Sequence, residues 1–425
     1  MVGITRAEPG VKPTRRRRLL PPPRGRHGAF EGARILDEIG GELGALLFQR
    51  SRDVILWAQT PYELRNGLFA ESRRGPAGRR REAGAPGSEI AAELQVLDEF
   101  VARPDRTDAE RVANACAGIY HWALDRVFYG TAAQFAAAGA DVLPHDAMFA
   151  IYAGRAERAR SAFDIATMWF QRAIALARTS GKMAPYTVAL LSWAKQENNR
   201  GNKQRARSLL LAAWRYARRN KLANLGAEAR HDLLALSIDE EDWIEAEAHA
   251  DAACKLYGPR ARNIFALAHD WALVWLKQGY FSSALPVMEA VVPYLMAPSA
   301  RVLALSSIAR AAAVLGQTEL YRSAADSVLG LAAVATENAP IALVHIAQAA
   351  HNAGDLPRAR ELAARAREIA RGREDSTAEH YAVVLLAVLE NGGPPEQDRL
   401  PPAGSEIPGQ ASMLLERARR LAPLM

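Results

Sequence analysis

The sequence predicts an all-α protein, an α-solenoid built from antiparallel helix pairs. Three observations predict it: a phrase that recurs at nearly constant spacing, small residues at fixed places in each copy, and apolar residues at helical spacing throughout. The phrase is clearest near the C-terminal end, where GDLPRARELAARA begins at Gly354. Similar stretches begin at five earlier positions, which are Ser161, Gly201, Glu241, Gly279 and Gly316.

Small residues keep a common register across the six copies. Five positions after each start stands a small or aromatic residue, at successive separations of 40, 40, 38, 37 and 38: Ala166, Ala206, Ala246, Ala284, Tyr321 and Ala359. Twelve residues earlier, five of the six copies again carry a small residue: Gly154, Ala194, Leu234, Ala272, Ala309 and Ala347. Two antiparallel helices approach closely only where a side chain is small. Each copy is therefore predicted to be one packed helix pair.

On these residues the chain resembles the tetratricopeptide repeat family. That family has a bulky residue followed by a small one in the first helix of each repeat, as Trp193 and Ala194 stand here. Its second helix carries an alanine, a large residue and another alanine, as in Ala206, Leu210 and Ala213. The resemblance implies a right-handed α-solenoid whose first helices line a concave face.

The repeat period is longer than is usual for the family. It is 37 to 40 residues here, whereas the family has about 34, and the chain resembles a longer-period bacterial variant. We expect the extra residues to lie in the loops between repeats, near TSGKMAPY, NKLANLGA and YGPRARN.

The predicted organisation has seven parts. Helical periodicity and Pro/Gly-rich breaks divide the chain in this order: a disordered basic tail at 1–28, a helical segment at 30–70, a basic Gly/Pro/Arg linker at 71–88, degenerate repeats or a cap at 89–144, six repeats with a capping helix at 145–390, a linker at 391–409 and a C-terminal helix at 410–424. Within the fourth part we expect helix breaks at Pro104 and Gly130.

The net excess of positive charge lies in the N-terminal fifth of the chain. The net charge is +7, and residues 1–88 hold 17 Lys and Arg against 9 Asp and Glu, while the remainder holds 37 against 38. Arginine runs at 15–18 and 79–81 make nucleic-acid binding an alternative function. It is disfavoured because the repeats are neutral and the runs lack interleaved aromatic residues.

Localisation and catalysis have few signals. No secretory signal or membrane-spanning run is recognised, and the two cysteines, Cys116 and Cys254, are expected to be buried core residues, so we expect a cytoplasmic protein. No GxxxxGK[ST], GxGxxG, GxSxG or HExxH motif occurs. The paired His-Asp dipeptides at 231–232 and 269–270 suggest a metal, but their offset equals the local repeat period, so repetition explains them. We expect no enzyme, no cofactor and no metal.

The first helices are expected to present polar side chains to the concave face. The candidates for a peptide groove are Arg155, Arg158, Lys195, Asn198, Asn199, His231, Asp232, His269, Asp270 and Arg310. Arg, Lys and Asn hold carboxylates and clamp peptide backbones. The leading hypothesis is a non-catalytic scaffold that binds a protein or peptide, with an acidic or carboxylate-bearing segment as the favoured partner. A ligand- or peptide-sensing subunit acting in transcriptional regulation is the alternative, although no helix-turn-helix is recognised.

Overall fold

The structure is a computed structural model that describes residues 33–70, 89–257, 263–332 and 337–393, together with positions 413 and 416. Within these residues the regular structure is α-helical, with two short 3-10 turns at Tyr62–Gly67 and Val292–Tyr294 and no strand. The predicted all-α fold is confirmed.

Four of the predicted parts lie wholly or mostly outside the described residues. The basic tail at 1–28 and the linker at 71–88 lie outside the described residues, as does most of the linker at 391–409. The predicted helix at 410–424 is also outside them, apart from Met413 and Glu416.

Among the described residues, five helices precede the repeats. They are α1 Ala33–Glu38, α2 Gly41–Gln59, α3 Ala91–Ala102, α4 Ala109–Asp125 and α5 Tyr129–Val142. Helix α2 packs against α5 and buries Leu47, Val54 and Trp57. The Trp57 indole N–H donates to the carbonyl of Pro104 at 2.7 Å, just beyond the end of α3. The apolar side of α2 is thus covered within the chain.

Gly130 is not a helix break, contrary to the expectation. It lies in the first turn of α5 because the Glu38 carboxylate caps that turn, accepting the N–H of Gly130 at 2.6 Å and that of Thr131 at 2.7 Å. A Cβ at Gly130 would stand 3.0 Å from Glu38 Oε1, so the carboxylate needs a glycine there. The break falls earlier, where Val127 adopts a φ of 65°.

The repeats follow as helix pairs. In chain order they are α6 Ala147–Ala159, α7 Phe163–Ser180, α8 Met183–Asn199, α9 Lys203–Arg219, α10 Ala223–Asp239, α11 Trp243–Leu256, α12 Asn263–Lys277, α13 Phe281–Val291, α14 Pro298–Val314, α15 Thr318–Ala332, α16 Ala339–Asn352 and α17 Leu356–Gly372, followed by α18 Ser376–Glu390. Even-numbered helices are the first helices of the pairs, and odd-numbered helices are the second. Each helix packs on its sequence neighbours.

The start of each recurring phrase is a left-handed turn. All six residues at that position have positive φ: Ser161 63°, Gly201 77°, Glu241 58°, Gly279 90°, Gly316 71° and Gly354 81°. Glycine adopts this conformation without steric cost, which explains why four of the six copies begin with it. The common backbone geometry confirms the register read from the sequence.

The small residues lie where the paired helices touch. Gly154 of α6 faces the ring of Phe170 of α7, and a Cβ at Gly154 would stand only 2.6 Å from that ring. Ala166, Ala206 and Ala246 are fully buried. Close approach of the two helices therefore accounts for the pattern of small residues.

At the first two of the three expected loops, the extra residues of the long period lie in the helices instead. Helix α7 has 18 residues, whereas α8, α9 and α10 have 17 each. The connections are correspondingly short, because α7 ends at Ser180 and α8 begins at Met183. Pro185 does not prevent this, since the first turn of a helix has no N–H bond to lose. The segment 258–262 within the third expected loop is outside the described residues.

First helices form an inner layer. Each first helix from α6 to α14 contacts the next first helix, and α16 contacts the capping helix α18. Two large apolar clusters fill the space behind this layer, and α10 contributes to both, with Leu233 in the N-terminal cluster and Leu234 in the C-terminal one. No helix among the described residues is long and apolar enough to cross a lipid bilayer.

Candidate functional site

Polar side chains link successive first helices in a repeated way. Arg155 Nε of α6 donates to Ser192 Oγ of α8 at 2.9 Å. Lys195 Nζ lies 3.2 Å from Asp232 Oδ1 of α10. Both bonds join a residue to one 37 positions further along, so the two arrangements are equivalent in the repeat. A polar ladder therefore runs across the inner layer.

A cavity of about 390 Å³ opens on this ladder between α8, α10, α12 and α14. We call it the inner pocket. Its ionisable lining residues are Lys195, Glu228, His231, Asp232, His269 and Asp270. Its apolar lining residues are Ala266, Leu295, Ala300 and Leu303, and its neutral polar ones are Tyr257, Asn263, Ser299 and Asn338. Three carboxylates thus face one lysine.

Asp270 is held by two histidines. It accepts hydrogen bonds from His269 Nδ1 at 2.8 Å and from His231 Nε2 at 2.9 Å. Burial acts to raise the pKa of Asp270, but these hydrogen bonds and the two imidazoles outweigh it, so the pKa is lowered. Asp270 is therefore ionised at neutral pH, and it fixes the orientation of both rings.

Glu228 and Asp232 bring the other two carboxylates to the pocket. Burial raises the pKa of Glu228, while nearby Lys195 and Arg155 act to lower it. Asp232 Oδ2 is buried and has no hydrogen-bond partner. The same is true of His269 Nε2 on the neighbouring first helix, α12. Buried polar atoms are normally hydrogen-bonded, because an unsatisfied group costs about 1 to 3 kcal/mol. The pocket thus contains unsatisfied polar atoms.

Half of the residues proposed from the sequence line this pocket. They are Lys195, His231, Asp232, His269 and Asp270. Arg155 does not line it, but lies near enough to the lining residue Glu228 that its charge acts to lower the pKa of that carboxyl. Arg310 is placed apart from these, since it is fully buried and its guanidinium lies 6.0 Å from the centre of the Phe281 ring.

The remaining three residues lie where the solenoid closes on itself. Arg158 forms an ion pair with Glu337, which precedes α16. The backbone carbonyls of Asn198 and Asn199 accept hydrogen bonds from Thr377 and Ser376, each at 3.4 Å. The first repeat therefore touches the segment before α16, and the second repeat touches the start of the capping helix α18.

The closure involves further contacts and a second cavity. Arg373 Nη2 donates to the carbonyl of Ala159 at 3.0 Å. Next to this junction is a cavity of about 460 Å³, lined by residues of both ends such as Lys203, Asp239 and Tyr381. We refer to these contacts and the Arg158–Glu337 pair as the ring closure. The inner face is consequently enclosed by repeats one to six.

Five polar lining residues were not proposed from the sequence. Glu228 lies one helical turn before Asp232 on α10, so a search of the same helix face would have found it. Asn263, Ser299 and Asn338 begin first helices or directly precede them. Tyr257 follows a second helix. No repeat rule points to these four.

A metal centre is not formed by these groups. Within the described residues, no group of three or more His, Cys, Asp or Glu side chains has the arrangement to hold a metal ion. Cys116 and Cys254 are both buried, and burial raises the pKa of Cys116 to about 12. The Cys116 thiol is therefore not a nucleophile at neutral pH.

Comparison with known proteins gives loose structural likenesses only. No family model matches the sequence, and no curated protein matches it. A Rap protein complexed with competence and sporulation factor aligns at 11% identity with a TM-score of 0.34, over 80% of this chain and 98% of the other. A signal transduction ATPase with a tetratricopeptide repeat sensor from Pyrococcus horikoshii aligns at 12% identity and a TM-score of 0.43, over 84% of this chain and 57% of the other.

A third likeness is to the TPR domain of P58(IPK), at 12% identity and a TM-score of 0.20, over 79% of this chain and 99% of that one. Two of these three structures are thus described as containing tetratricopeptide repeats. At such TM-scores the alignments carry no argument about function, and the fold rests on the paired helices, the left-handed turns and the buried small residues described above. The chain is an α-solenoid of tetratricopeptide-like helix pairs.

Proposed function

We propose that the protein is a non-catalytic helical-repeat scaffold that binds a protein or peptide segment on its inner face. The observation that carries the proposal is the inner pocket, where polar side chains of successive first helices converge on a cavity of about 390 Å³. Concave sites with a few convergent polar groups are where proteins bind ligands. A cytoplasmic location belongs to the proposal and is supported by the low cysteine content.

The segment is proposed to carry a carboxylate near α6 and α8. Arg155 supports this, because it donates to the neutral hydroxyl of Ser192 and makes no ion pair among the described residues. Lys195 also supports it, since its side chain is 54% exposed despite the contact with Asp232. Both cations are within the same inner layer and can act on one segment. Each charge-assisted hydrogen bond contributes about 1.5 to 3 kcal/mol.

The test begins with selection of binders from a random peptide display library on the full-length chain. The affinities of the selected peptides are then measured for the wild type and for Arg155→Ala with Lys195→Ala, at low and at moderate salt. We expect the double variant to bind at least about tenfold more weakly. The matched control is Arg215→Ala with Lys255→Ala, since those exposed residues lie on second helices.

Two results would count against this proposal. Equal binding by the wild type and the groove variant at both salt concentrations would place recognition outside the inner face. Failure to select any peptide would contradict peptide binding itself. A salt-sensitive affinity for DNA or RNA that is lost with residues 1–28 would instead support the nucleic-acid alternative.

A further inference from the structure

We infer that the inner pocket binds an aliphatic cation, an ammonium or guanidinium group on a short hydrocarbon stem. This inference rests on the proposed function where the cation is a lysine or arginine side chain of the bound segment. A free diamine or polyamine offers the same chemistry, and the experiment below separates the two sources. The ligand would then carry both signs of charge, with a carboxylate at Arg155 and a cation in the pocket.

The first argument is the balance of charge. Glu228, Asp232 and Asp270 line the pocket, and Lys195 is the one lysine or arginine among its lining residues. Lys195 does not neutralise the site firmly, because its side chain is 54% exposed and exposed ion pairs are weak. Even with Arg155 near Glu228, three carboxylates against two cations leave an excess of negative charge that favours a cation.

The second argument is the set of unsatisfied atoms. Asp232 Oδ2 is buried with no hydrogen-bond partner, although its other oxygen lies 3.2 Å from Lys195 Nζ. The χ2 torsion of an aspartate is broad, so a small rotation of the carboxylate brings this oxygen to a donor in the pocket. A ligand ammonium or guanidinium supplies several N–H donors at once. Such a group would remove an unfavourable feature of the empty pocket.

A buried histidine supports the same placement. His269 is only 3% exposed and lines the pocket, and its Nε2 atom has no hydrogen-bond partner. Since its Nδ1 donates to Asp270, the neutral ring leaves Nε2 as an acceptor. The site thus offers an imidazole nitrogen in addition to three carboxylates. Every one of these groups can accept a hydrogen bond from a cation.

The third argument is the apolar part of the lining. Ala266, Leu295, Ala300 and Leu303 face the same cavity as the carboxylates. Lysine and arginine side chains have an apolar stem and a charged head, and they pack the stem on apolar surface. A bare inorganic cation has no hydrocarbon surface that could pack against this apolar wall. The combination of an apolar wall and an acidic end therefore favours an alkyl ammonium or alkyl guanidinium.

The experiment uses the full-length chain and two kinds of probe. The first is a set of acetylated, amidated heptapeptide mixtures that differ only at the central residue, which is Lys, Arg, norleucine or Glu. The second is butylguanidinium chloride, with neutral butyramide as its control, followed by NMR of the histidine ring C–H signals. Variants are Asp232→Asn, which preserves shape, and Asp251→Asn. Asp251 is paired with Lys255 on α11 and provides the same acid-to-amide change away from the pocket.

We expect the wild type to retain the Lys and Arg mixtures at least about tenfold better than the norleucine mixture, with the preference lost in Asp232→Asn and kept in Asp251→Asn. Butylguanidinium, but not butyramide, should shift the signals of His231 and His269. Peptide binding with no preference for Lys or Arg, or a preference unchanged in Asp232→Asn, would overturn the cation site and leave the scaffold proposal standing. Shifts with butylguanidinium but no retained peptide would support the cation site for a free cation and contradict segment binding. If no peptide is retained and no histidine signal shifts, both the cation site and the scaffold proposal are overturned.

Discussion

Arg158 in the first repeat is paired with Glu337, which lies two residues before the first helix of the sixth repeat. Their side chains are 13% and 23% exposed, so the pair is largely removed from water. The two residues are separated by 179 positions in sequence. The pair therefore joins the first and the sixth repeat directly, in addition to the packing that joins neighbouring repeats.

A double-mutant cycle measures the coupling free energy between Arg158 and Glu337. We expect Arg158→Met and Glu337→Gln to show a coupling free energy of about 1 kcal/mol in urea unfolding, above the value of exposed pairs. The control pair is Arg322 and Glu319 on α15, whose side chains are 66% and 92% exposed; it should show almost no coupling. A coupling of Arg158 with Glu337 no larger than that of the control would show that the ring closure does not depend on this ion pair.

The ring closure could not be predicted from the sequence. Repeat periodicity identifies each pair of helices and its neighbour, because those contacts recur at a fixed spacing. Whether repeat one meets repeat six depends on a small rotation per repeat that accumulates over the array. Within the described part of the repeats, the contacts from Thr377 to Asn198 and from Arg373 to Ala159 have no equivalent. These contacts therefore produce no periodic pattern in the sequence.

The turns between paired helices could be predicted, including those without glycine. Glu241 begins its copy of the phrase in register with Gly201 and Gly354, and all three have positive φ. The sequence shows the position because four copies retain the glycine that this conformation favours. At Glu241 the local sequence alone gives no sign of a left-handed residue, and only the register indicates it.

The strain at this turn gives a prediction about stability. We expect Glu241→Gly to stabilise the protein by about 1 kcal/mol, since a non-glycine residue pays a steric cost at positive φ. Glu241→Ala is the control for loss of the exposed side chain, and it should not stabilise. Gly354→Ala should destabilise by a similar amount, because φ is 81° and a Cβ there has no neighbour within 4 Å, so the effect is due to the backbone. Urea unfolding of the three variants checks the signs; destabilisation by Glu241→Gly would contradict the argument.

The close contact inside the first repeat gives a second prediction about stability. A Cβ at Gly154 would stand 2.6 Å from the ring of Phe170, so Gly154→Ala should destabilise by about 1 to 3 kcal/mol through overpacking. Adding Phe170→Leu should recover part of this loss, because the smaller side chain leaves room. Gly330 in α15 is the control, since nothing lies within 4 Å of a Cβ there, and Gly330→Ala should stabilise by about 0.5 to 1 kcal/mol. Equal effects at both glycines would rule out the packing explanation.

The inner pocket was predicted in part, and the reason lies in the geometry of its residues. Lys195, His231 and Asp270 were found because they occupy one face of consecutive first helices, which the 3.6-residue period makes visible. Asn338 was not found, because it precedes its helix and has no fixed phase. The burial of Arg310 was also not foreseen, since the sequence places it on the same face as solvent-exposed residues. Its exposure depends on how tightly α13 and α14 pack.

The last prediction concerns the buried residue His345 on α16. Its ring is 4% exposed and its Nδ1 lies 3.0 Å from Ser306 Oγ. Burial, followed by the positive charges of Lys277 and Arg310 and the nearby His269, lowers the pKa of His345 well below its ordinary value of 6.5. The folded protein then keeps this ring neutral while the unfolded chain takes up a proton, so stability is lost as the pH falls below about 6.5. Each unit by which the pH falls in that range lowers the free energy of unfolding by about 1.4 kcal/mol per proton.

We expect the wild type to lose more stability than His345→Gln between pH 7.5 and 5.5 by about 1 kcal/mol, measured by urea unfolding. The variant should retain a smaller slope, because burial also lowers the pKa of His121 and His249. An identical loss in both proteins would show that His345 takes up its proton as readily in the folded state as in the unfolded chain.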